Sequence, residues 1–183
     1  MKPLIIINFK TYKEASGNNA LLLAKDIAKV KKTKYSIYVA PPLLRTHEVA
    51  TKSNAHVFAQ GVSEFEYGAH TGSVLLDELK KMNVKGIILN HSENRIHLSK
   101  IALIIKSCKK RKMISVVCSS SLSEIKKIAQ LHPDYIAYEP TELIGGNISV
   151  TESNPRIIVD AIEILKKATK KTKLLVGAGV HSA

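Results

Sequence analysis

The sequence of 183 residues contains no tryptophan, and its aromatic share is only 5%. Proteins that hold single-stranded nucleic acid stack its bases on aromatic side chains set among basic ones. The lysine clusters here carry no interleaved aromatics, which argues against specific nucleic-acid binding and leaves weak, salt-sensitive contact. Cysteine is nearly absent as well. Cys108 and Cys118 are the only two, and neither has a Cys or His neighbour at metal-ligand spacing. That excludes a disulfide framework and a sequence-local metal site, and fits two buried or inert thiols in a reducing cytoplasm. No apolar run approaches the roughly 18 residues of a membrane span. Leu4 to Ile7, after Met1-Lys2-Pro3, is too short for the core of a signal peptide. The expected location is therefore cytoplasmic, with no membrane partner.

Acidic residues are scarce relative to basic ones, 15 against 28, giving a formal charge of +13. The excess sits in helical segments or just after them, as in Lys25, Lys29, Lys31 and Lys32, in Lys109 to Lys112, and in Lys166, Lys167, Lys170 and Lys171. Such clusters form solvated outer faces and favour helix C-termini. The positive field they create would also draw in a small anionic substrate.

What is present repeats one pattern. Short β-branched runs alternate with helical stretches: strands over 4–7, 35–40, 56–60, 86–90, 114–118, 135–138 and 173–176, and helices over about 18–30, 44–52, 73–82, 98–112, from 122 up to His132-Pro133, and from Pro155 onward. Ser121 and Glu124 have capping-box spacing, and Asn154-Pro155 reads as a cap with proline in the first helical turn. Strands alternating with helices imply a parallel sheet with right-handed crossovers, in one domain spanning 1–183. A doubly wound open sheet would place its glycine-rich phosphate loop after the first strand, where this chain has Asn8-Phe9-Lys10. Candidate functional groups instead follow the first, fourth, sixth and seventh strands, which fits a closed barrel with all strand ends opening into one mouth.

The stretch with most chemistry runs from Ile136 to Asn147. An apolar strand ends in the carboxylate of Glu139, Pro140 stiffens the next step, and Gly145-Gly146 supplies a backbone able to close on a ligand. This reads as a base facing an anion beneath a lid, or as an ordinary αβ connection.

Five motifs in order, Asn8-Phe9-Lys10, Val39-Ala40-Pro41-Pro42, Gly68-Ala69-His70-Thr71-Gly72, Asn90-His91-Ser92-Glu93 and Tyr138-Glu139-Pro140 with its glycine lid, resemble triosephosphate isomerase along the whole chain. The Asn90 to Arg95 wording and the Gly177-Ala178-Gly179 turn look like its shorter archaeal-type branch. The resemblance implies an α/β fold, the (β/α)8 TIM barrel, with about seven βα units here. It implies interconversion of dihydroxyacetone phosphate and glyceraldehyde 3-phosphate through an enediol, in glycolysis and gluconeogenesis, with no metal or organic cofactor. Lys10, His91 and Glu139 would be catalytic, as amine, electrophile and base. Asn8, Gly145, Gly177, Ala178 and Gly179 would bind substrate, and Glu93 would support the site. Asn8 and Lys10, two apart on an extended segment, would project to the same side. The His91 ring would be kept neutral by the amide dipoles of a helical turn starting there.

Two departures qualify the resemblance. The lid reads Gly145-Gly146-Asn147 where the family has Gly-Thr-Gly, and asparagine tolerates a positive φ less well than glycine. The sequence ends at Ala183, soon after the seventh strand, where the family continues with an eighth βα unit. A fragment of a longer protein, a unit supplied by another chain, and loss of activity all fit. The alternative function is accordingly a catalytically impaired relative or a basic phosphate- or nucleic-acid-binding protein. The loop from Gly61 to Gly72 resembles the one that family members insert into a neighbouring subunit. It implies a homodimer or homotetramer in which Thr71 touches the partner.

Overall fold

The computed structural model describes residues 3–30, 34–140, 155–169 and 171–177. They contain seven strands in chain order, β1 (Leu4–Asn8), β2 (Ser36–Ala40), β3 (His56–Ala59), β4 (Gly86–Leu89), β5 (Ile114–Ser119), β6 (Tyr135–Tyr138) and β7 (Lys173–Val176). The helices between them are α1 (Asn18–Lys29), α2 (Thr46–Lys52), α3 (Leu76–Lys81), α4 (Leu98–Arg111), α5 (Leu122–Ala129) and α6 (Pro155–Ala168). A doubly wound sheet would break the chain order of its strands at a switch point; this order runs straight through. The residues fall into two compact units, 1–88 with 107–113, and 89–106 with 114–183.

In the first unit β1 pairs with β2, β2 with β3 and β3 with β4, all parallel. Its interior is built from Val39, Val49, Val57, Phe58 and Ile87, with Ala20 and Ala24 letting α1 lie close to its neighbours. The long loop expected over 61–72 is present, and it is closed on itself. The Ser63 amide donates to the Val74 carbonyl at 2.9 Å and the Val74 amide to Ser63 Oγ at 3.1 Å. Phe65 and His70 stack 4.1 Å apart at 10°.

Arg111, in the last turn of α4, fastens this loop. Its Nε and Nη2 donate to the two carboxylate oxygens of Asp77 at 2.9 and 2.5 Å, and Nη2 also donates to Glu66 at 3.3 Å. This two-pronged geometry is the strong form of the ion pair. The Arg111 hydrogen bonds hold the Asp77 carboxyl below the usual carboxylate range.

In the second unit β5 pairs with β6 and β6 with β7, again parallel. Asp134 joins the strand starts: its Oδ2 accepts from the Ser115 amide and hydroxyl, each at 2.8 Å, and its carbonyl accepts from the Lys173 amide at 3.0 Å. Helix α5 turns Ile125, Ile128 and Ala129 inward, and α6 turns Ala161 and Leu165 inward.

Chain reversal after the helices is compact. Helices α2 to α5 are each followed within three residues by a left-handed residue, Asn54, Asn83, Lys112 and His132. The connections into the next strands are therefore short, while longer loops follow the C-termini of β1, β3 and β4. Both cysteines are buried, as expected. Among the described residues no helix is long and apolar enough to cross a membrane.

Candidate active site

Beyond the end of β1 the chain does not stay extended as the Asn-x-Lys pattern suggested. Asn8 Oδ1 accepts the Lys10 amide at 3.0 Å, and Lys10 takes φ 48°. Asparagine side chains capture the amide two residues on, and the captured residue is forced out of the strand. A left-handed lysine is strained by about 1–2 kcal/mol, so something must hold it. Gln60, just past β3, does: its Nε2 donates to the Lys10 carbonyl at 3.0 Å and to the Ala40 carbonyl at 2.9 Å. One side-chain amide thus ties together the ends of β1, β2 and β3. The Lys10 ammonium lies 5.7 Å from the centre of the Tyr12 ring.

In the second unit the ends of β4, β6 and β7 meet. His91 follows β4 and Glu139 follows β6, and His91 Nε2 stands 3.6 Å from Glu139 Oε2. That is longer than a hydrogen bond, leaving the two groups side by side and able to address a third atom. Their side chains are 12% and 21% exposed, shielded yet reachable.

The ring orientation is fixed differently from the sequence expectation. No helix starts at His91, since α4 begins at Leu98. Residues 91–94 form a tight turn in which the Asn94 amide donates to the His91 carbonyl at 2.8 Å and the Glu93 amide donates to His91 Nδ1 at 3.2 Å. An Nδ1 that accepts an N–H bears no proton, so the neutral ring carries its hydrogen on Nε2, the nitrogen facing Glu139. A single directed amide, rather than a helix start, sets which ring nitrogen accepts. The Glu93 carboxylate is exposed, 3.7 Å from Nδ1.

Glu139 is held from several sides. Its amide donates to the Ser119 carbonyl at 2.9 Å, continuing the β5 to β6 ladder one residue past the strand. Cys118, read from sequence as inert, is buried against its carboxylate. Burial first, then the Glu139 charge and a hydrogen bond to that carboxylate, push the thiol well above its ordinary range. Cys118 therefore stays protonated and serves as a donor to the base.

Gly177 follows β7, and its amide donates to the Tyr138 carbonyl at 3.2 Å. A methyl group placed on Gly177 would stand 3.2 Å from Glu139 Oε1 and 3.4 Å from its Cγ. The glycine at this position makes room for the carboxylate.

Thr71 lies exposed in a turn of the 61–72 loop. Gly145, Ala178 and Gly179, with the expected lid through Asn147, lie outside the described residues. Sequence reasoning missed Gln60, Arg95, Cys118 and Glu124. A polar residue one place beyond a strand end was the available signal for Gln60; nothing local marked the roles of the other three.

A family model described as triosephosphate isomerase matches residues 3–183. The triosephosphate isomerase of Methanothermus fervidus is 39% identical over 182 residues, covering 99% of this chain and 82% of that protein. That of Methanocaldococcus jannaschii is 38% identical over 178 residues, 97% of this chain and 81% of its own length. That of Sulfolobus acidocaldarius is 37% identical over 179 residues, 97% and 77%. With family likeness over nearly its full length and strands in barrel order, this chain belongs to the triosephosphate isomerase family, isomerases of the (β/α)8 barrel class.

Proposed function

We propose that this protein interconverts dihydroxyacetone phosphate and glyceraldehyde 3-phosphate in the cytoplasm, within glycolysis and gluconeogenesis, and needs no metal or organic cofactor. The observation that carries the reading is the pairing of an Nε2-protonated His91 with the Glu139 carboxylate at 3.6 Å. The carboxylate takes a proton from the carbon beside the substrate carbonyl, while His91 Nε2–H donates to the carbonyl oxygen. The resulting enediol becomes product when Glu139 returns the proton to the neighbouring carbon and His91 takes up the hydroxyl proton from the carbon first deprotonated, which restores its Nε2–H. The Lys10 ammonium supplies positive charge to the substrate oxygens. Gly145 and the Gly177 to Gly179 turn offer backbone amides to the phosphate, Asn8 also binds the substrate, and Glu93 supports the site. The lid keeps water from the intermediate.

The fastened 61–72 loop favours association with a second copy through Thr71, in a homodimer or homotetramer, because a pre-ordered loop loses little entropy on docking. The test is a coupled assay of triose phosphate interconversion on the full chain. Turnover above the buffer rate supports the reading, and its absence sinks it.

The glycine beside the base gives a graded check. Gly177→Ala is expected to displace the carboxylate by a few tenths of an ångström and lower kcat by roughly tenfold, with the thermal midpoint little changed. Steady-state kinetics beside a melting curve would measure both.

A further inference from the structure

Glu124 lies on α5, and its carboxylate is the node on which the His91 turn and the strand end before Glu139 are both hung. Its Oε1 accepts from Asn90 Nδ2 at 3.0 Å and from Arg95 Nη2, and its Oε2 accepts from the Ser120 amide at 2.9 Å. Capping-box spacing would send this carboxylate back to the Ser121 amide. Only half of that box forms, through the Glu124 backbone amide, which donates to Ser121 Oγ at 3.2 Å.

The two donors on Oε1 flank the turn that carries His91. Asn90 is 3% exposed and held at φ 58°. Its Oδ1 accepts from the Ile96 amide at 3.2 Å, and its carbonyl accepts from Arg95 Nη1 at 3.2 Å. The turn over 90–96 is thereby closed at both ends, with the Glu93 amide aimed at His91 Nδ1 inside it. The same Asn90 Nδ2 donates to the Cys118 carbonyl at 3.0 Å. Cys118 is the thiol against Glu139, and the next carbonyl, Ser119, receives the Glu139 amide. From Glu124 one path of two hydrogen bonds leads to the His91 turn and another to the strand end that seats Glu139.

We propose that Glu124, acting through Asn90 and Arg95, is a positioning residue that sets the His91 ring orientation and its spacing from the Glu139 carboxylate. The role requires a carboxylate. Its two oxygens accept from a side-chain amide, a guanidinium and a backbone N–H together, whereas a glutamine offers one oxygen and turns an NH2 toward a donor. It also requires the guanidinium fork, which reaches Glu124 and the Asn90 carbonyl at once; a lysine carries the charge without that reach.

The kinetic part rests on the isomerase reading, and the spectroscopic part does not. In the full chain, Glu124→Gln and Arg95→Lys are compared with Ser121→Ala, which removes the helix cap and leaves the carboxylate's partners in place. Ring 15N spectra, with the His91 signal assigned by its loss in His91→Asn, should show the Nε2-protonated neutral form in the parent and in Ser121→Ala. In Glu124→Gln and Arg95→Lys they should show tautomer averaging.

Where turnover is measured, those two variants should lose on the order of 10- to 100-fold in kcat with KM within about twofold, and Ser121→Ala should keep its kcat. A parent-like His91 spectrum in a folded Glu124→Gln or Arg95→Lys protein overturns the proposal. So does an equal kcat loss in Ser121→Ala. Should the parent show no turnover, the isomerase reading falls while the ring spectra still decide this one. If Glu124→Gln does not fold, Arg95→Lys carries both readouts.

Discussion

Glu139→Gln is expected to lower kcat by about 10²- to 10⁴-fold, the usual contribution of a positioned general base. The substitution keeps the side chain's length and replaces one carboxylate oxygen by an NH2, which cannot accept a proton from carbon. Its surroundings sharpen the outcome. The Cys118 thiol donates toward this group, and the Glu139 amide is fixed on Ser119. The glutamine should therefore stay in place, and KM should change far less than kcat. A fall in KM affinity matching the fall in kcat would mean that the residue binds substrate instead of moving its proton. Comparison with Glu139→Asp, which keeps the base and retracts it by one carbon, separates loss of chemistry from loss of reach.

Arg111→Ala should cost about 1–2 kcal/mol of stability, because it removes the two-pronged charge-assisted pair with Asp77 and the packing of a shielded side chain, while its partners remain open to water. The guanidinium side chain is only 11% exposed and holds Asp77, Glu66 and the Ser107 carbonyl. The loss should depend on pH with a defined sign. Asp77's folded value is depressed, so its stabilisation is in force above the unfolded value of about 3.9 and fades as pH falls through the lower folded value. Urea titrations at about pH 7 and about pH 3 should accordingly show a larger gap between parent and Arg111→Ala at the higher pH. A gap independent of pH would assign the arginine's contribution to packing of its stem. Because the arginine fastens the 61–72 loop, self-association should weaken in the same variant, read by sedimentation at fixed concentration.

The strands and helices were legible because their signals are local. Leu4 to Ile7, Ile114 to Cys118 and Tyr135 to Tyr138 are apolar runs of strand length, while α5, expected to run up to His132-Pro133, ends at Ala129. The catalytic candidates in the second unit were legible for a similar reason, since each directly follows a strand. What escaped was every side chain whose task is set by a residue distant in sequence. Glu124 looks like a capping residue until Asn90, 34 positions earlier, claims its carboxylate. Cys118 looks inert until β5 and β6 pair and bring it beside Glu139. Gly177 reads as a turn glycine, yet what it spares is room for a carboxylate 38 residues before it, a distance no periodicity encodes. The segment through Lys10 was read as extended and is a turn, governed by the Asn8 side chain.

That turn has a bearing on how the sequence can drift. A lysine at φ 48° sits where glycine would rest more easily, and the half-buried Gln60 side-chain amide restrains it. Mutation selected for thermal robustness alone would find relief at Lys10 early and would discard the ammonium in taking it. On the proposed isomerase reading, the rim of the first strand is thus a place where durability and chemistry pull apart.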